Sequence, residues 1–534
     1  MTITRILAIM TALVLAFTMT AFAGAPEKPE GESEGGQAIE AQGAGDSEAG
    51  ESAGEEAGKD AGESEGGQGG GQASEEAGES AGSQGGNQGG NSGGGMMPGG
   101  GGSSKPDSYD AVTEITEDAE IEGETFASEN GNENAIHIFE GASVTLTDCE
   151  ITNAGEGSGG DDASFYGVGA TVLVSDGELY ISDSEITSTT AGGTGVFAYD
   201  TGVAYVSNVT IRNSGRGGCG GIHAAGGGTL YAWNCDVVTT GGSSAAIRSD
   251  RGGGLMVIDG GSYITENGTG AVYCTADISV HDAYLYAGAS EAIAIEGKNF
   301  IRLFDCSLEG NMQASEINDN MVWNCIVYQS MSGDSSIGTS EFDFIDSSLI
   351  CHAGPVVLNT NTDSYITFKN SEIEYGEDTT YFLQVTGNSS SRTWGTEGKN
   401  GADCIFTAYE QEIEHDVLYD TISTLQFYLL DESEFEGAFL CDDTYNGGYT
   451  GEGLANVYID ASSKWEVTAD SVITGTLYLE GEIEGAQVVG TDGTVYVEGE
   501  GFTVTVGGFE TTVDTEGAGV APVWEDYCVE NPFE

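Results

Sequence analysis

The phrase "VTLTDCEI", Val144 to Ile151, returns as "LYISDSEI" from Leu179 to Ile186 and as "AYVSNVTI" from Ala204 to Ile211. Its pattern is apolar, any, apolar, any, Asp or Asn, any, any, apolar. Further copies begin at Leu230, Ile278, Ile301, Phe342 and Ile366, with weaker ones at Leu255, Val322 and Trp465. A second phrase ("GVFAYDTG", "GIHAAGGG", "AIRSDRGG") falls between successive copies. Through the central region the Asp or Asn position steps by roughly 19 to 26 residues, and a fixed period of that length marks a solenoid with one supersecondary unit per turn. A leucine-rich consensus and the nonapeptide G-G-x-G-x-D are both missing. The alternation is β text throughout, so the pattern predicts an all-β parallel β-helix. Asp148 to Ala469 has room for about 14 rungs, a rod on the order of 65 Å long at the usual strand spacing.

Within the phrase the Asp or Asn ends a strand where the chain must bend. These residues tolerate the left-handed conformation and bond to their own backbone, so they read as turn formers. The two unspecified positions inside the strand point away from the core. The first reads Thr145, Tyr180, Tyr205, Tyr231, Met256; the second reads Trp233, Ile258, His281, Phe304, Trp323, Ile345. Stacked at rung spacing, such rings would form a strip of flat apolar faces suited to pyranose rings or a protein partner. Tyr180, Tyr205, Tyr231, Trp233, Phe304 and Trp323 are therefore the expected ligand-binding residues.

The chain around the repeat divides by composition. Residues 1–23, with one Arg, the run "ILAIMTALVLAF" and "AFA", read as a signal peptide,. Residues 24–105 are Gly, Ser, Glu, Ala and Gln with almost nothing to bury, and read as a disordered acidic linker,. The β-helix is expected over 106–475, and residues 476–534, with their "TDGT" turn, as a C-terminal β cap and tail. Asp and Glu number 88 against 14 Lys and Arg, a formal net charge of −74. So acidic a chain repels nucleic acid and anionic membranes. No run of about 18 apolar residues follows the first segment, so no membrane insertion is expected,. A secreted monomer at or beyond the cell surface is the expectation.

From about Ser108 to Gly475 these repeats resemble the right-handed parallel β-helix proteins of the pectate-lyase-like group, especially adhesin-like secreted bacterial proteins. That resemblance implies an architecture shared by lyases, hydrolases, tailspikes and adhesins. In the group, lyases abstract a proton with Arg or Lys beside an acid-bound calcium, and hydrolases carry clustered Asp with G-H-G and R-I-K. This chain has "GIHAAGGG" around His223 and neither of those signatures. Its best basic–acidic constellation, Arg248, Asp250 and Arg251 in "IRSDRGG", is the catalytic alternative. The resemblance favours a non-enzymatic, adhesin-like protein that binds a glycan or a surface partner. A polysaccharide lyase, a glycoside hydrolase or a purely structural rod are the alternatives. No cofactor is expected, and the acidic loops show no ligand spacing that would commit to Ca²⁺. Cys306 and Cys325 follow the Asp or Asn of neighbouring rungs, which leaves open a disulfide or a stack of buried thiols,.

Overall fold

The structure is a computed structural model that describes residues 104–316, 319–389, 392 and 394–534. The expected signal peptide and nearly all of the expected linker lie outside the described residues. The described residues fall in one unit, Asn87–Glu534.

The chain winds as a parallel β-helix. Sheet A has 13 strands, one per turn, from Asp110–Ile115 to Phe439–Cys441. Sheet B has 24 strands, and sheet C has four: Glu412–Glu414, Glu434–Gly437, Lys464–Val467 and Glu482–Glu484. Pairing within the stack is parallel until the end, where Ala486–Gly490 meets Val495–Val497 antiparallel.

The repeated phrase explains the register. Val144, Leu179, Ala204 and Leu230 are direct partners on successive rungs, as are Leu146, Ile181, Val206 and Ala232. After the turn, Ile151, Ile186, Ile211 and Val237 repeat the arrangement. Each of these side chains is buried, so each apolar column is one wall of a continuous core. From Phe342 onward the core changes from aliphatic to aromatic, with Phe406 and Phe427 stacked at 4.7 Å. The Asp or Asn of the phrase is left-handed at Asp148 (φ 54), Asp183 (φ 50), Asn208 (φ 53), Asn234 (φ 50), Asp282 (φ 48) and Asp305 (φ 52).

Two weak copies are out of phase. In Gly254–Thr265 the bend falls on Gly260 and Gly261 (φ 75 and 105), which need no Asp. Met256 and Ile258 consequently face the core, and Val257 takes the outward place opposite Tyr231. A one-residue slip moves every side chain to the other face. The copy at Val322 is not a sheet B rung, because Cys325–Tyr328 is a strand of sheet A. This separates the two cysteines expected to pair. Among the described residues all ten cysteines are free. Cys325 pairs with Ile293 and Val357 in sheet A, whereas Cys306 N–H donates to Ser347 Oγ (2.9 Å) on the sheet B side. Burial holds the Cys306 thiol protonated, its pKa pushed up to about 12.

Candidate functional site

The outer column of sheet B runs in register through Thr145, Tyr180, Tyr205, Tyr231, Val257, Ser279, Arg302, Asp343, Thr367, Thr407 and Tyr428. The three expected tyrosines are thus brought together, but not as a strip of faces. Tyr180 and Tyr205 stack at 4.6 Å and 3°, and Tyr205 and Tyr231 at 5.2 Å and 28°. Rung spacing is the thickness of a stacked ring pair, so each ring spends its faces on its neighbours and turns an edge outward.

The parallel column through Trp233, Asp259, His281, Phe304 and Ile345 contains two more expected residues, and Trp233 and Phe304 are buried. The cover is the chain itself. Thr511–Glu534 runs back across the rungs. Gly519 N–H donates to Thr407 Oγ1 (2.8 Å), and Tyr409 hydroxyl donates to Gly519 O (2.6 Å). Trp524 stacks on His281 at 4.7 Å and leans on Phe304 at 5.7 Å. Tyr527 meets the Arg302 guanidinium at 4.5 Å, and Phe533 meets Tyr180 and Trp233 edge-on. Five of the six expected ligand-binding residues therefore belong to a surface whose aromatic faces are occupied within the chain.

Sheet A carries the other constellation. His137, Leu173, Phe197, His223, Arg248 and Tyr273 follow one another in its outer column. Arg248 Nε donates to Asp250 Oδ2 (2.6 Å) and Nη2 to Oδ1 (3.3 Å), a two-pronged pair with both side chains buried. Burial opposes the charge on Arg248, but the Asp250 carboxylate outweighs it and holds the pKa above its ordinary value. A guanidinium so held does not serve as a proton-abstracting base. His223 Nε2 lies 3.1 Å from Asp250 Oδ2, off the line of a hydrogen bond, and burial pushes its pKa down despite Asp250. Arg251 points elsewhere, over the Phe165 ring at 4.1 Å and 3.5 Å from Asp334. Asp161 and Asp334 line the shallow cleft there with Arg248 and Tyr273. Burial raises the pKa of both carboxyls, against the pull of Arg251.

Farther along the same face lies a larger cleft that the repeat alone does not announce. Between Val172 and Ile293 the sheet A rungs recur every 21 to 26 residues, whereas the step from Ile136 to Val172 is 36 residues and carries the short helix Asp161–Tyr166 beside the first cleft. The steps from Ile293 to Cys325, Cys325 to Val357 and Leu383 to Val417 are 32, 32 and 34 residues. The added chain rises outside the sheet and brings Met321, Trp323, Asn388, Arg392 and Trp394 together, with Tyr445 from the following turn. Between them is a cavity of about 230 Å³, floored by Leu358, Thr360 and Thr386 of the sheet.

The Trp323 and Trp394 rings meet at 6.4 Å and 61°, and the Arg392 guanidinium lies 4.9 Å and 4.6 Å from them. Asn388 Nδ2 donates to Thr360 Oγ1 (3.0 Å), while Asn388 Oδ1 and Trp323 Nε1 are buried with no hydrogen-bond partner among the described residues. Beneath, Asp420 accepts from Gly387 N–H (2.7 Å) and Asn446 Nδ2 (2.9 Å), which fixes the loops on both sides. Glu296 accepts from Tyr273 (2.9 Å), Tyr328 (3.2 Å) and Ser330, and Tyr328 packs on Trp394 at 4.6 Å. Trp323 was legible as an outward aromatic, though on the wrong sheet; Trp394 and Tyr445 were not, and the lengthened step from Leu383 to Val417 is the signal that finds Trp394.

Among the described residues no group of three or more His, Cys, Asp or Glu is arranged to hold a metal ion, and no helix is long and apolar enough to cross a membrane. Searches against protein-family models, curated proteins and solved structures find no match to this chain.

Proposed function

We propose that the chain is a secreted, non-enzymatic, adhesin-like β-helix protein that binds a glycan in the Trp323–Trp394 cleft. One observation carries the reading: the cleft pairs two indole rings with a buried donor, Trp323 Nε1, and a buried acceptor, Asn388 Oδ1, that no group among the described residues meets. A buried polar group without a partner costs about 1–3 kcal/mol, and a sugar hydroxyl both donates and accepts. Apolar walls with a few convergent polar groups are the ordinary make-up of a small-ligand site. The apolar face of a pyranose ring suits an indole.

The test is binding to an array of polysaccharides, with W323A and W394A compared against Y205A. The cleft variants should lose on the order of tenfold or more in affinity, measured at a temperature where each is shown by circular dichroism to remain folded, since both rings are buried,. Y205A should bind like wild type. An intact cleft that binds no glycan sinks the proposal and leaves a protein-binding or structural rod.

A polysaccharide lyase or hydrolase is the second reading. Its support is the neighbouring cleft, where Asp161 and Asp334, two carboxyls of raised pKa, face Arg251 and the Arg248–Asp250 pair. Raised carboxyls are the acid form that glycosidic cleavage calls for.

A further inference from the structure

The contacts of Thr511–Glu534 differ in kind from those inside the rod. Each rung is bonded to the next by a backbone ladder, but this segment crosses the strands and joins no sheet. Apart from the two bonds of Gly519, its backbone reaches the rod only through Val513 N–H to Glu480 Oε1 (3.1 Å). Beyond Gly519 the backbone bonds are within the segment, such as Tyr527 N–H to Trp524 O (2.9 Å). What holds this part are three aromatic side chains, Trp524, Tyr527 and Phe533, seated on His281, Phe304, Arg302, Tyr180 and Trp233.

Charge opposes the docking. The segment carries six Asp and Glu and no Lys or Arg, on a chain of net charge −74. Arg302, the cation that Tyr527 packs on, is already met by Asp277 at 2.6 Å and Glu341 at 3.1 Å. Arg302 therefore offers Tyr527 a cation–π contact and leaves little attraction for the segment's own acids. Apolar and ring contacts dock the segment against a long-range repulsion that salt screens.

We propose that Thr511–Glu534 is a displaceable strap, and that the track it covers is a receptor for an extended peptide carrying aromatic side chains, which the strap fills in cis. The strap tightens as ionic strength rises and loosens as it falls. Opening it uncovers Trp233, His281, Phe304 and Arg302 without breaking a rung. This proposal concerns the face of sheet B and is independent of the cleft on sheet A.

Hydrogen exchange on the intact chain is the first arm of the test. Amides of residues 520–534 should open on the order of 100-fold more readily than those of Phe300–Phe304 and Ser340–Ile345 beneath them, and more readily still at low salt. Equal protection of strap and sheet would make the segment a fixed wall and overturn the proposal. The second arm is a dye-labelled synthetic peptide with the sequence of residues 517–534. It should bind the full-length W524A/F533A chain, whose own strap is loosened, at least about tenfold more tightly than the wild type. If the strap of that variant exchanges freely and the track still takes no peptide, the receptor role is overturned.

Discussion

Asp148 sits at φ 54 on the outside of its turn, where its side chain is exposed and its N–H donates to Ser182 O. A residue with a Cβ pays about 1–2 kcal/mol for this conformation, and Asp recovers part of that by tolerating it locally. Asp148→Ala should therefore lower stability by on the order of 1 kcal/mol, while Asp148→Gly stays near the wild type. Chemical denaturation of the two variants decides it; an alanine variant as stable as the glycine one would remove the turn-former account. Gly260 already takes this position one rung beyond Asn234. These turn residues were legible in the sequence because backbone sterics fix them locally. The orientation of Tyr180, Tyr205 and Tyr231 was only half legible. Alternation placed them outside, but the rung spacing that stacks their faces belongs to the assembled sheet.

At the scale of elements, the repeat announced the core columns and concealed the insertions. An apolar column leaves its trace in every copy of the phrase, whereas the Trp323–Trp394 cleft is built by chain that interrupts the phrase. Sheet C shows another consequence of stacking. Glu412, Glu434, Lys464 and Glu482 are one outward column, and Glu414, Glu436, Glu466 and Glu484 the next. Like charges directly opposite one another on paired strands are destabilising. Lys464 is the one cation in this grid, 2.9 Å from Glu484 and 3.8 Å from Glu466. Lys464→Gln leaves seven carboxylates without it, so the melting temperature should fall, and fall further at low salt than at molar salt. A deficit that is the same at both ionic strengths would show that packing of the Lys464 stem, rather than its charge, supports the sheet.

At the scale of the whole molecule, the acidity that repels nucleic acid and anionic membranes also sets the response to pH,. Several carboxyls are buried: Glu296, Asp343 and Asp420 all have pKa values raised by burial, Asp343 well above its ordinary value, with Glu341 adding to the push. A carboxyl raised in the folded state holds its proton more tightly there than in the unfolded chain. Its contribution is complete below the unfolded value near pH 4 and is lost as pH rises through the folded value. Two imidazoles act in the opposite sense. Burial lowers His137 to about 4 and also depresses His223, so their contribution is lost as pH falls from about 6.5 toward 4,. Above about pH 6.5 both imidazoles are neutral folded or unfolded, and only the carboxyl contribution and the general repulsion of the net charge remain. Above about pH 6.5 any change these groups make to stability is therefore a decline, and it persists at high salt, where surface repulsion is screened and the buried carboxyls are not. Asp343→Asn replaces a strongly raised carboxyl with a group that does not titrate. In molar salt this variant should show a flatter decline than the wild type in midpoint against pH. A wild-type midpoint that stays flat above pH 6.5 in molar salt would mean that Asp343 is already ionised in the folded rod, held so by Arg302 at 3.9 Å,.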